Sequence, residues 1–384
     1  MAKTAYFDNA ATTFPKPSCV YDYMREFYQN CGGSYGRGTH ARAQSVGGVV
    51  NDTRKRIGKL LHCSSKQVVF TPSATIALNI VISGLIQKGL KSIYVSPFEH
   101  NAITRVLHHY EKNNQIRVHQ LPFTDSFSFE LEKARYQFQS VRPDLVIMSH
   151  ASNVIGFVLP VEKVFSLAKE YDATTLIDMA QTAGLVDIDI GKEIFDFAVF
   201  AGHKTLLGPT GISGFVMKSN YQLPTTLFGG TGFESANQDM PESIPERFEI
   251  GTQNTVGIAG LNASLQWIEE KGMPALFESE SRNRQRLLDI LSKYSFIQTV
   301  GIFPNQEYVG IVSCLFDEIS SDSAGIILND RGVAVRTGLH CSPTAHKFIG
   351  TFPAGTIRFS VSSLTSDDDF VELVEALDSI EEEI

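Results

Sequence analysis

A chain of 384 residues, 43% hydrophobic and 20% charged, has the composition of an ordinary globular protein long enough for two domains, which excludes a disordered or fibrous chain. Its net charge of −9 and pI near 5.6 argue against a nucleic-acid or anionic-membrane surface and towards small-molecule chemistry. The opening MAKTAYFDNAATTFPKP lacks an apolar signal-peptide stretch, and no eighteen consecutive apolar residues follow, so no membrane segment and a cytoplasmic location are expected. Five cysteines (Cys19, Cys31, Cys63, Cys314, Cys341) without a CxxC pair suggest neither a disulfide framework nor a metal site.

Short apolar runs alternate with helical ones along the chain. VVF (68–70) leads into SATIALNIVISGLI (73–86), SIYVS (92–96) into a helical stretch from Ala102, and DLVIMSH (144–150) into VEKVFSLAKEY (161–171). TTLIDM (174–179), FAVFAGH (197–203) and ISGFVM (212–217) follow. Continuous apolar strands separated by helices predict a mostly parallel sheet covered on both faces, with a ligand at the strands' C-terminal ends. From near residue 260 the pattern changes. A helical segment with Trp267, GIVSCLF (310–316), a helix from Ser323, TIRFSVS (356–362) and a final acidic helix read as a smaller α+β domain. The expected domains are residues 1–260 and 261–384, with the N-terminal segment a candidate to join the second.

Asp178 ends one strand and Lys204 follows a later one, so both reach the same rim. A lysine that condenses with an aldehyde and a carboxylate that keeps a pyridine nitrogen protonated are what a pyridoxal phosphate enzyme needs; a structural ion pair is the alternative. TPSAT (71–75) lies between a strand and a helix, where Ser73, Ala74 and Thr75 offer either a phosphate seat or plain N-capping. His100 follows another strand, as a ring-stacking or proton-carrying group or as a packed loop residue. Asn153 and Gln181 suit a phenolic oxygen, or simply satisfy turn backbone.

In this order the motifs YFDNAATT, SYGRGTHARA, FEHNA, SNVIG, LIDMAQ, AGHKTLLGPTGISGF, RFEIGTQN, RTGLHCSP and TIRFS resemble the class V aminotransferase-like family of fold-type I pyridoxal phosphate enzymes, within it the cysteine desulfurases and selenocysteine lyases. The resemblance implies an α/β fold with a mostly parallel seven-stranded sheet and pyridoxal 5′-phosphate as cofactor. It implies that Lys204 bonds the cofactor, Asp178 pairs with the pyridinium, His100 stacks on the ring, and Gln181 meets the ring oxygen. It places Asn153 near that oxygen and the substrate carboxylate, Arg358 on that carboxylate with Arg336 as the other candidate, and His203, Ala74 and Thr75 at the phosphate. Thr252 is implied to reach the phosphate of a neighbouring subunit in a homodimer. Two departures stand out: Ser73-Ala74-Thr75 replaces a common Gly-Thr-Thr, and Ala201 replaces a common phosphate-binding serine.

Cys341 decides the activity within the family. A desulfurase needs a thiol that takes sulfur from bound L-cysteine, leaving L-alanine and a persulfide, and Arg336 and His340 are expected to favour its thiolate. The RTGLHCSP motif is closer to the subgroup with a short cysteine loop, whose members tend to need an acceptor protein. The expected function is a cysteine desulfurase. The alternatives are a selenocysteine lyase, a class V aminotransferase, or a low-turnover sulfur carrier, against which the intact Asp178, His100 and Lys204 argue.

Overall fold

The computed structural model describes residues 4–36, 38–234 and 236–382. After a short strand β1 (Ala5–Tyr6) come β2 (Gln67–Thr71), β3 (Ser92–Val95), β4 (Arg117–Gln120), β5 (Leu145–Ser149), β6 (Thr174–Asp178), β7 (Phe197–Ala201) and β8 (Ser213–Met217). β2 to β8 form one sheet in the order β2-β8-β7-β6-β5-β3-β4, in which β8 alone runs against its neighbours. The fold is therefore α/β with a mostly parallel sheet, as the apolar runs imply, and with the seven strands that the family resemblance implies.

Both faces are covered, and the pleat decides which residue goes where. Val68, Phe70, Val146, Met148, Ala198 and Phe200 join one core, while Val69, Leu145, Ile147, Phe197 and Val199, one position along each strand, join the other. The helix Ala74–Gln87 packs into the second core through Ala77, Leu78, Val81, Ile82 and Leu85. Strand β4 is absent from the apolar pattern for a physical reason. It is the sheet's edge, and Arg117 and Gln120 are exposed there.

The C-terminal part builds a second, antiparallel sheet from β9 (Ile297–Val300), β10 (Ile311–Phe316), β12 (Arg336–Gly338) and β13 (Thr356–Ser360), in the order β12-β13-β10-β9. β11 (Val333–Ala334) pairs in parallel with β1. This unit has its own core of Val312, Cys314, Ile357, Phe359, Leu373 and Leu377, which Phe7 joins from the chain start. Residue 261 falls inside the helix Thr255–Lys271, whose Ile258, Leu261, Leu265 and Ile268 belong to the large sheet's core. Among the described residues no helix is long and apolar enough to cross a membrane.

Candidate active site

The C-terminal ends of β5, β6 and β7 open into a cavity of about 120 Å³. Eight of the expected residues line it: Ala74, Thr75, His100, Asn153, Asp178, Gln181, His203 and Lys204.

Lys204 is delivered by a turn closed on itself. Gly202 N–H donates to Ile212 O at 3.1 Å, Gly208 N–H to Gly202 O at 2.8 Å, and Thr13 Oγ1 to Lys204 O at 3.0 Å. A β-carbon on residue 202 would meet Ile212 O at 2.5 Å, so the approach of this turn to β8 requires glycine. Burial pulls the Lys204 ammonium down to about 8, with Asp178 acting in the opposite sense, so a share of neutral amine exists near neutrality. Asp178 ends β6, and its Oδ1 accepts from Ala180 N–H at 2.9 Å. Burial raises its pKa, while the Ala180 N–H and the Lys204 charge lower it.

His100 caps the helix Asn101–Lys112: its Nδ1 accepts from Ala102 N–H at 3.0 Å, which assigns the neutral ring's proton to Nε2. Burial, then the Lys204 charge, pushes its pKa down to about 4. Gln181 Nε2 donates to Ala10 O at 3.0 Å. At the cavity's other end Ser73 Oγ caps Ile76 N–H at 3.3 Å, and helix geometry leaves the N–H groups of Ala74 and Thr75 without intrahelical acceptors. His203 Nδ1 is buried with no hydrogen-bond partner among the described residues.

The two arginines expected at the substrate carboxylate lie on the smaller sheet. Arg358, in β13, is 1% exposed; its Nη1 donates to Asn153 O at 2.9 Å and its Nη2 to Asp8 Oδ1 at 2.8 Å, while its Nε is buried without a partner. Apart from its place in YFDNAATT, nothing in the sequence marks Asp8 as the partner of Arg358. Arg336, in β12, faces Arg358 in the register of the two strands and donates from Nη2 to Cys341 Sγ at 3.2 Å.

Cys341 is half-buried in the turn after β12, close enough for a thiolate there to interact with the charges of Lys204 and Arg358. The expected help from His340 is corrected by the structure. Burial and neighbouring cations, Arg358 first, hold the His340 ring far below its usual range, at about 2, and its Nε2 meets Thr356 Oγ1 at 2.9 Å. A neutral ring supplies no cation, so among the described residues the guanidinium of Arg336 is the charge in contact with the thiol. Burial pushes the thiols of Cys63, to about 12, and of Cys314, higher still, out of the reactive range.

Thr252 lies apart from this cavity. It lines a groove of about 520 Å³ together with Pro72, Ile76, Leu227, Phe228 and Phe248. Phe228 is 76% exposed there, and Ile76 sits next to the cavity-lining Thr75.

A lysine and a buried carboxylate closing on one cavity at the C-terminal edge of this sheet define a fold-type I pyridoxal phosphate enzyme. The chain belongs to the aminotransferase class-V family, which matches residues 5–373. It is 29% identical to a probable cysteine desulfurase of Pyrococcus abyssi, over 97% of this chain and 94% of that protein. It is 28% identical to a cysteine desulfurase of Haloferax volcanii, over 98% and 89%. The apo structure of a cysteine desulfurase from Thermococcus onnurineus NA1 superposes with a TM-score of 0.91 at 26% identity, covering 99% of this chain and 95% of that one.

Enzymes of this kind use pyridoxal 5′-phosphate, and the residues present fit it. The unpartnered His203 Nδ1 and the free N–H groups of Ala74 and Thr75 form a polar pocket for a phosphate, and Asp178 and Lys204 offer a carboxylate and an amine beside it.

Proposed function

We propose that this protein converts L-cysteine to L-alanine and passes the sulfur to Cys341 as a persulfide. The observation that carries this reading is the half-buried Cys341 thiol, 3.2 Å from the Arg336 guanidinium and within reach of the Lys204 and Arg358 charges. The cofactor, when bound, acts as an electron sink that makes the substrate's carbon–sulfur bond breakable.

The chain's own residues do the rest. With pyridoxal 5′-phosphate bound, Ala74, Thr75 and His203 would hold its phosphate, Lys204 would bond it and move a proton at the substrate, and Asp178 would keep its ring nitrogen protonated. His100 would lie against the ring as a neutral imidazole, and Gln181 and Asn153 would serve its oxygen. Arg358 receives the substrate carboxylate. Arg336 steadies the Cys341 thiolate, which attacks the substrate sulfur: a sulfur–sulfur bond forms, the carbon–sulfur bond breaks, and the electron pair and a proton end on the carbon that becomes the alanine methyl. No external oxidant is needed, because the carbon is reduced as the thiol is oxidised.

The groove bearing Thr252 and exposed Phe228 supports a homodimer in which Thr252 reaches the partner's phosphate site. A cytoplasmic location, an acceptor protein that removes the persulfide, and turnover of L-selenocysteine belong to the same reading. Incubation of the purified holoprotein with L-cysteine and with L-selenocysteine, with and without dithiothreitol, tests it. Alanine, sulfide under reductant and no need of a keto acid are expected; alanine only when a keto acid is supplied would make the protein an aminotransferase.

A further inference from the structure

The turn that carries Cys341 is joined at four points to the loops that follow β3 and β5. Asn153 Nδ2 donates to His340 O at 2.6 Å, Asn101 N–H to Cys341 O at 2.7 Å, Ser342 Oγ to Asn153 Oδ1 at 2.6 Å, and Thr344 Oγ1 to Glu99 O at 3.4 Å. His340 and Cys341 both take left-handed backbone, with φ of 46° and 61°, which persists in such residues only where the surroundings hold it.

The chemistry of the partners assigns the Asn153 amide. A backbone carbonyl only accepts, so the amide nitrogen faces His340 O, and the oxygen is left to take the Ser342 proton. Ser342 is 0% exposed, so its hydroxyl is shut off from bulk solvent, and the two short bonds share one amide. Asn153 is itself fixed from below, because its carbonyl accepts from Arg358. The same residue therefore touches the carboxylate clamp, lines the cavity and grips the turn on both sides of the thiol.

We propose that Ser342 is a positioning residue: through Asn153, which lines the cavity, its hydroxyl locks the Cys341 turn and hence the thiol. The lock is a property of the turn, and only its effect on turnover rests on reading Cys341 as the sulfur acceptor.

The test compares Ser342→Ala with wild-type holoenzyme and with Thr344→Ala, whose bond is the longest of the four. Removing the Ser342 hydroxyl leaves Asn153 Oδ1 without its donor, and the turn loosens. Iodoacetamide labelling of Cys341, followed by mass spectrometry, is expected to speed up about 5- to 10-fold in Ser342→Ala, the scale of one lost buried hydrogen bond, and less than about 2-fold in Thr344→Ala. In the same Ser342→Ala protein kcat for alanine formation is expected to fall by about 10-fold with KM for L-cysteine within about 2-fold, since the thiol and not the substrate is misplaced. Unchanged labelling in Ser342→Ala, equal acceleration in both variants, or faster labelling with unchanged kcat overturns the proposal. A wild-type protein that makes no alanine from L-cysteine overturns the desulfurase reading alone, and the labelling comparison still decides the lock.

Discussion

Lys204, which lines the cavity, and Cys341, whose turn is bonded to the cavity-lining Asn153, are held by different means. Lys204 follows a five-residue strand paired on both sides in the middle of the large sheet, and its turn is closed by backbone hydrogen bonds. Cys341 follows a three-residue strand at the edge of the small sheet, and side chains and one amide from the other sheet's loops hold its turn. The lysine's place is built into the sheet, whereas the thiol's depends on two units meeting correctly. Changes at the first should act on chemistry without geometry, and changes around the second on geometry as well.

The sharpest break in that comparison is Lys204→Ala. Losing the amine proposed to bond the cofactor and move a proton is expected to lower alanine formation by at least about 1,000-fold. Borohydride should fix the cofactor to the Lys204 peptide in wild-type protein; a label on a different lysine would sink the assignment. Cys341→Ala comes next. Cofactor absorption should stay as in wild type while alanine formation from L-cysteine drops by about 100-fold or more, and L-selenocysteine, with its better leaving group, should suffer less. Mass spectrometry after one turnover should find the added sulfur on Cys341; sulfur only on Cys19, Cys31, Cys63 or Cys314 would refute the mechanism.

Arg358→Ala probes the seam between the units. A lost charge-assisted carboxylate contact predicts a KM for L-cysteine raised roughly 10- to 100-fold with the cofactor retained. An unchanged KM would hand the carboxylate to Arg336.

The smallest effect compares a buried carboxyl group from each side. Burial pushes Glu99 and Glu280 up to about 7, but Glu99 accepts from Ser96 Oγ and from Ser149 N and Oγ, whereas Glu280 accepts from Gly310 N–H. A folded pKa above the 4.5 of an exposed glutamate means that the folded state holds the proton more tightly. Between pH 4.5 and about 7 unfolding releases it, so each group makes stability fall as pH rises, by at most about 1.4 kcal/mol per pH unit, and the fall levels off above the folded pKa. Glu280→Gln should remove part of that slope and stabilise the protein at pH 8 by up to about 3 kcal/mol, with little change at pH 4.5. Glu99→Gln should gain less, because its amide nitrogen would face donors. Chemical denaturation across this pH range measures both, and parallel pH profiles for wild type and Glu280→Gln would refute the assignment.

The large sheet was legible because its central strands are buried on both faces and read as unbroken apolar runs. Its polar edge strand β4 was not, nor was the helix Ala41–Leu60, whose adjacent Gly47 and Gly48 weaken any local helical signal and which tertiary packing through Val46, Val50 and Ile57 sustains. The grouping of residues around the cavity was equally legible, since strand ends can be found from strands. Three things at the thiol end were not: the neutral state of His340, the Asp8 partner of Arg358 and the Ser342 bond to Asn153. Each depends on residues distant in sequence, 350 apart for Asp8 and Arg358, and on burial that only the folded chain creates.

That separation has a consequence for synthesis. Phe7 and Asp8 emerge from the ribosome long before their partners, because the core that buries Phe7 includes Phe359 and the cation that pairs with Asp8 is Arg358. Until Arg358 has been translated, the segment around Asp8 must wait beside a large sheet whose last strand ends at Met217. The Asp8–Arg358 pair thus forms late in synthesis, and a chain stalled before residue 358 would expose the unpaired segment around Asp8 to chaperones and proteases.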